Sequence, residues 1–216
     1  MNVYRDEGSL DFCLKRFRSI YPFVPVTVIS DGSPFVLRAR LIAESWGCGF
    51  HAGENLLVED RGLAWWKRIF SLSVDEVTDI VLKIDPDTLF HREFRFVPLW
   101  DYFGCVKNLG LVTEHVQGGI QGFSMGMIRR VLGSGVLDDP LYTDVYKFSP
   151  NGVCADTFRA KYQISTDHSI HHVMSRLGVP ACHWDEAGCT WLRAVENVGL
   201  RYAVTHPMVD KSRPVH

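Results

Sequence analysis

Two carboxylates, Asp85 and Asp87, stand one residue apart in "DIVLKIDPDTLFHRE" (79–93), where an apolar run stops and Pro86 separates them. Pro86 fixes its own φ and holds Asp85 in extended geometry, so the chain must turn sharply at this point. Carboxylates held this close repel each other unless a cation lies beside or between them. A hard divalent ion is one such cation, and ions of this kind commonly take one or two carboxylates together with substrate phosphates. An Asx-type turn with solvated aspartates is the other reading, and it is common after strands. The stretch by itself leaves both open. Lys83 alternates onto the strand face of Asp85, where it can balance charge.

Further side chains of chemical interest lie downstream. His206, in the apolar stretch "YAVTHPMV", is either a satisfied polar group or a metal ligand. Lys211, five residues on, either is solvated or reaches a phosphate. Asp167 opens "STDHSIHHVMSRLGV" in line with Ile170 and Met174, so its carboxylate points toward the protein body or a cleft. It is a general base or an acidic residue favoured in a first helical turn. His168, His171 and His172 have the spacing of a zinc site, but no carboxylate–histidine motif completes one, and exposed helix histidines are the simpler reading. Gly118 and Gly119 suit close approach of backbone to a ligand, or equally a hairpin or bulge. Arg61 and Lys67 stand on the helix "RGLAWWKRIFSL", before the acidic strand end, as cleft-lining or surface charges. Trp65 and Trp66 are adjacent and must point in different directions, one to the core and one free to face a ligand.

The elements that must position these groups alternate. "SLDFCLKRFRSI" places Leu10, Cys13, Leu14 and Phe17 on one helical face, with Ser9 as its N-cap. "VPVTVIS" is a β-branched strand that ends at Asp31-Gly32, and "FVLRARLIAESWG" is a helix closed by Gly47. A third helix, "RGLAWWKRIFSL", precedes the strand "TDIVLKID". "YFGCVKNLGLVTEH" reads as a strand, "VQGGIQGFSMGMIRRVLGSG" as a glycine-punctuated stretch that becomes helical, and "STDHSIHHVMSRLGV" as a helix ended by Gly178. The tail strand is broken by Pro207. Such alternation predicts an α/β domain with a largely parallel sheet, whose ligands bind beyond the carboxyl ends of the strands. Asp31, Asp85 and Asp87 fall at such ends.

Bulk composition narrows the class. The chain has 216 residues with a formal net charge of −2, so no global basic field points to nucleic acid or an acidic membrane. No apolar run approaches the roughly 20 residues of a membrane span, and "MNVYRDEGSL" has no apolar signal core. Six cysteines (13, 48, 105, 154, 182, 189) form no C-x-x-C pair. They read as reduced, mostly buried thiols of a cytoplasmic protein.

Taken in order, these segments resemble the GT-A-fold, D-x-D-containing, metal-dependent glycosyltransferase superfamily. "VLKIDPDTLF" looks like its D-x-D motif, "VPVTVISDGSP" like its second strand, and "RDEG" like the turn after a short opening strand. "VQGGIQGFSMGMIRR" resembles its acceptor-side segment, "STDHSIHHVMSRLGV" its acidic segment, and "VTHP" its late histidine. The resemblance implies one GT-A-like, Rossmann-like domain over 1–216, with a mostly parallel central sheet flanked by helices. Residues 1–90 would form the nucleotide-sugar half and 91–216 the acceptor and catalytic half. It further implies Mn2+ or Mg2+ on Asp85, Asp87 and His206. Donor contacts would come from Arg5, Asp31, Arg61, Lys83, Asp85 and Lys211, and acceptor-side backbone from Gly118 and Gly119. Asp167 would be the base of an inverting transfer to a glycan or other hydroxyl acceptor, from a UDP-sugar in preference to a GDP-sugar. The acidic segment reads Thr166-Asp167 where inverting members commonly carry Glu-Asp, which bears on the base and on stereochemistry.

Three other functions share part of this pattern. A haloacid-dehalogenase-type phosphatase also follows an apolar strand with Asp-x-Asp-x-Thr, but here Thr88 comes one place early and two strand–helix units precede the motif. Phosphate release from an aryl phosphate, abolished by Asp85→Asn, would identify it. A sugar nucleotidyltransferase would carry a glycine-rich basic loop after its first strand, where "YRDEGSL" has one glycine. A non-catalytic nucleotide-sugar or glycan-binding module would bind nucleotide with metal and turn nothing over.

Overall fold

The computed structural model describes residues 1–3, 6–56, 62–107, 115–138, 166–191 and 201–208. In chain order its elements begin with β1 (Asn2–Val3), α1 (Glu7–Ile20), β2 (Thr27–Asp31), α2 (Val36–Ser45), β3 (Gly49–Gly53), α3 (Gly62–Ser73) and β4 (Ile80–Ile84). There follow β5 (Leu89–Phe90), β6 (Tyr102–Lys107), β7 (His115–Ser124), α4 (Met125–Ser134) and a 3-10 turn (Val136–Asp138). The last are α5 (Thr166–Arg176), β8 (Cys182–His183), β9 (Ala187–Trp191) and β10 (Val204–Met208). The class is mixed α/β.

The chain divides into two compact units. The first comprises Met1–Gly53, Lys83–Val97 and Asp185–His216; the second comprises Glu54–Leu82 and Pro98–Trp184. In the first unit Leu10, Cys13, Leu14 and Phe17 are buried on one face of α1, as their spacing predicts. The helix begins before Ser9, with Asp6 at its N-cap position and no side-chain capping bond. Glu7, buried in the first turn, accepts a hydrogen bond from Ser33 Oγ at 2.7 Å, tying α1 to the turn after β2. Strands β1, β2 and β3 run parallel, with Val3 opposite Ser30 and Asp31 opposite Gly53. Helix α2 crosses between β2 and β3. Its buried residues are Ala39 and Ala43, one turn apart, and these small side chains let it settle close on the core of Val3, Leu10, Leu14 and Val28. Gly47 ends this crossover at φ 62°, a left-handed position that favours glycine.

The expected single, mostly parallel central sheet does not form among the described residues. Three sheets do: β1-β2-β3, β5-β10-β9 and β4-β7-β6-β8. In the second, β10 pairs antiparallel with β5 and parallel with β9; in the third, β6 pairs antiparallel with β7 and parallel with β8. Connection length explains the departure. For the antiparallel pair β6 and β7, the seven residues between them are too few for the dozen-residue crossover that a parallel neighbour needs. Strand β10 also continues through Pro207. Its β5 partner reaches only Val204 and Thr205, so Pro207 sits where one edge needs no N–H donor.

In the second unit, Trp66, Phe70, Tyr102 and Phe123 form an aromatic core, with Phe123 stacked on Tyr102 at 5.3 Å and edge-on to Phe70 at 5.1 Å. Trp65 is buried as well, edge-on to Trp66 at 4.9 Å, so neither indole is left over for a ligand. The glycine-punctuated stretch is a ten-residue strand, β7, holding Gly118, Gly119 and Gly122. Gly122 is required by packing, because a Cβ there would overlap the Phe103 ring on β6. Ser124 then caps α4 by accepting from Met127 N at 3.0 Å.

Candidate metal centre

Strand β4 ends at Ile84, and a tight turn follows. Thr88 N donates to Asp85 O at 3.1 Å, closing a four-residue β-turn with Pro86 and Asp87 at its centre. Pro86 is pre-set for the first of these positions. The turn is the local reason that both aspartates face one way, and they are half-buried rather than freely solvated, at 27% and 18% exposure.

β10 supplies the third group. His91 N donates to Ala203 O at 2.8 Å, and Val204 and Thr205 pair with Phe90 and Leu89. That pairing brings His206 to the turn. Its Nε2 lies 3.0 Å from Asp87 Oδ1 and 3.8 Å from Asp85 Oδ2. Lys83, with its side chain 3% exposed, places Nζ 2.6 Å from Asp85 Oδ1. Asp85 therefore shares its oxygens between a buried cation and the imidazole.

The electrostatics follow from this geometry. Burial, the largest single influence, lowers the His206 pKa. The hydrogen bond and charge of Asp87, aided by Asp85, outweigh it, so the net shift is upward despite Lys83. One ligand atom from each of Asp85, Asp87 and His206 lies within 4.8 Å of the others. An ion bound at about 2.1 Å spaces its ligands by about 3–4 Å, so small rotations suffice to close this group around one. The two carboxylate oxygens suit Mn2+ or Mg2+, and the imidazole nitrogen is a donor that also suits transition metals such as zinc or iron. The three residues fit such an ion.

A second tier of contacts holds the two ends of the site together. Glu186 receives Arg92 in two bonds, Nη1 to Oε2 at 2.7 Å and Nη2 to Oε1 at 3.2 Å, and also accepts from Arg95 N at 3.0 Å. Its own carbonyl accepts from Ala203 N and Val204 N at 2.9 and 3.1 Å. This single residue thus fastens the segment after the aspartates to the strand that carries His206. His91 Nε2 and Thr205 Oγ1, 2.8 Å apart, add a further tie. Sequence reading missed Glu186, Arg92 and His91. Their partners lie so far along the chain that no local spacing signals them, and the acidic residue before the apolar run of β9 is the one hint.

The remaining expected site residues are placed as follows. Asp31 ends β2 and is fully buried in the same unit as the metal centre. Gly118 and Gly119 lie within β7 of the second unit. Asp167 is half-buried in the first turn of α5, also in the second unit. There it is near enough to Tyr102 to act on its phenol, whose pKa burial first and Asp167 next push well up. His171 and His172 are half-buried, not exposed, and burial lowers both. Lys67 pairs with Asp138 at 2.7 Å on the surface. Arg5, Arg61 and Lys211 lie outside the described residues, as does Cys154. The other five cysteines are free thiols. Among the described residues, no helix is long and apolar enough to cross a membrane. No protein-family model matches this chain, and no curated protein matches it.

Proposed function

We propose that the protein is a divalent-metal-dependent glycosyltransferase of GT-A type, moving a sugar from a nucleoside diphosphate to a hydroxyl acceptor. The observation that carries this reading is the convergence of Asp85, Asp87 and His206 at the end of β4. The three parallel strands of the first unit and the buried Asp31 at the end of β2 support it. Asp87 and His206 would hold the ion, with Asp85 completing the set while Lys83 keeps its other oxygen. Bound there, the ion would neutralise charge on the departing nucleotide. Lys83 anchors one oxygen of Asp85, and the Glu186–Arg92 clamp fixes the strand pair that presents His206. Asp167 is assigned the acceptor proton, and a base on the acceptor goes with inversion. A cytoplasmic location accompanies this reading, in keeping with the five free thiols.

The test is a panel of UDP- and GDP-sugars with Mn2+, reading nucleoside diphosphate release by wild type and Asp87→Ala. Removing even an outer-sphere partner of a metal typically costs 10–100-fold, so loss of a direct ligand should lower release by about 100-fold or more. Equal release and equal donor binding by the variant would overturn the assignment.

A further inference from the structure

The first unit contains a second concave feature that the metal centre does not use. It is a cavity of about 380 Å3 lined by Phe12, Lys15 and Arg16 of α1, Leu89 and Phe90 of β5, and the adjoining His91. The helical residues stand at i, i+3 and i+4, so they share one side of α1, beside the face that enters the core. Phe12 leaves 53% of its surface in water. Phe90, 1% exposed and edge-on to Phe17 at 5.1 Å, is held firmly and gives the cavity an apolar base beside the half-buried Leu89.

The polar part of the lining has one sign. Lys15 and Arg16 bring two cations, and no carboxylate lines the cavity. Among the described residues, neither cation makes an ion pair or hydrogen bond through its side chain. His91 registers the same field: burial first, then the charges of Arg16 and Arg92, lower its pKa, and no anion acts to oppose them. Its Nε2 is occupied by Thr205. Apolar surface beside unmatched positive charge, in a cavity of small-ligand size, is what recognition of an anion with an apolar body requires.

We propose that this cavity binds a small organic anion, a phosphate or carboxylate group carried on an aromatic or branched apolar body. Lys15 and Arg16 take the anionic head, and Phe12, Leu89 and Phe90 take the body. The inference is independent of the transferase reading, since none of Asp85, Asp87 and His206 lines the cavity.

The test is an amide NMR titration of the intact protein in EDTA, with phenyl phosphate and benzoate as probes. Benzyl alcohol serves as the uncharged control and inorganic phosphate as the bodiless one. Saturable shifts confined to Phe12–Arg16 and Leu89–His91 are expected for at least one probe, and the stronger probe identifies the head group. Arg16→Gln should raise Kd about tenfold, the loss expected for one charge-assisted hydrogen bond. Phe12→Ser should weaken the aromatic probes and leave inorganic phosphate unchanged. Both substitutions are at exposed positions, so folding is preserved. Asp87→Ala should bind the probes as wild type does, which separates this site from the metal centre. Three results would each overturn the proposal: no saturable shift with either probe, binding indifferent to Arg16→Gln and Phe12→Ser, or inorganic phosphate or benzyl alcohol binding as tightly as the aromatic anions.

Discussion

Lys83, Asp85, His206 and Asp87 form a line in which nitrogen groups alternate with carboxylates, and its inner end is the most buried. A lysine with its side chain 3% exposed is stabilised in its charged form by Asp85, 2.6 Å away. Lys83→Met should therefore destabilise the protein by about 1–3 kcal/mol, because it removes the closest cation from a half-buried carboxylate. Adding Asp85→Asn should recover part of that loss, and urea titration of both variants and their combination measures the coupling. Purely additive losses would show that the pair is not a unit. At this scale the sequence was informative where chemistry is local. Asp-Pro-Asp at a strand end dictates a turn with two outward carboxylates, and Lys83 is read from strand alternation. It was uninformative where burial decides the outcome. Trp65, His171 and His172 have spacings that fit exposure as well as they fit the core, and only the surrounding elements choose.

At the scale of elements, helices announced themselves through their apolar stripes, as in α1 and α5, and through glycine stops at Gly47 and Gly178. β7 did not. Its glycines break the usual signature of a strand, yet they are what allows β6 and β7 to lie so close. Gly104, at φ 156°, is in the same position, because a Cβ there would collide with Val116 and would lie 2.6 Å from the Ile120 carbonyl. Gly122→Ala should cost about 1–3 kcal/mol as an overpacking change. The penalty should shrink in a Phe103→Leu background, where the ring that blocks the methyl is gone. Chemical denaturation of the four proteins checks this, and an unchanged penalty would mean that the clash is relieved elsewhere. The third strand of the first sheet, β3, also went unread. Its sequence, Gly49–Gly53, is short and glycine-bounded, and its partner β2 specifies it better than its own composition does.

For the whole molecule, the alternating pattern conveyed the α/β class but not the sheet directions, which depend on connection lengths between distant segments. The same long-range ties set a pH dependence. The hydrogen bond from Arg92 most strongly lowers the Glu186 pKa below 4.5; burial opposes this, and the Arg95 amide and nearby charges assist. The unfolded chain then binds a proton at Glu186 more readily than the folded one. The resulting stability is present above about pH 4.5 and is lost as pH falls through the lower, folded value. Arg92→Met should thus be most destabilised relative to wild type at pH 6, with the gap narrowing below pH 4.5 in urea titrations at successive pH values. A constant gap would assign the loss to packing alone.

His206 is brought to the aspartates by the pairing of β10 with β5, and β10 is the last of the described strands in chain order. A chain emerging from the ribosome presents Asp85 and Asp87 well before the imidazole has been made. During that interval the two carboxylates have Lys83 as their local counter-charge and no third ligand. An ion held by all three residues would accordingly be acquired only after β10 is translated, so the complete centre could not template the earlier stages of folding. Its uptake would mark a polypeptide whose distant segments have already met.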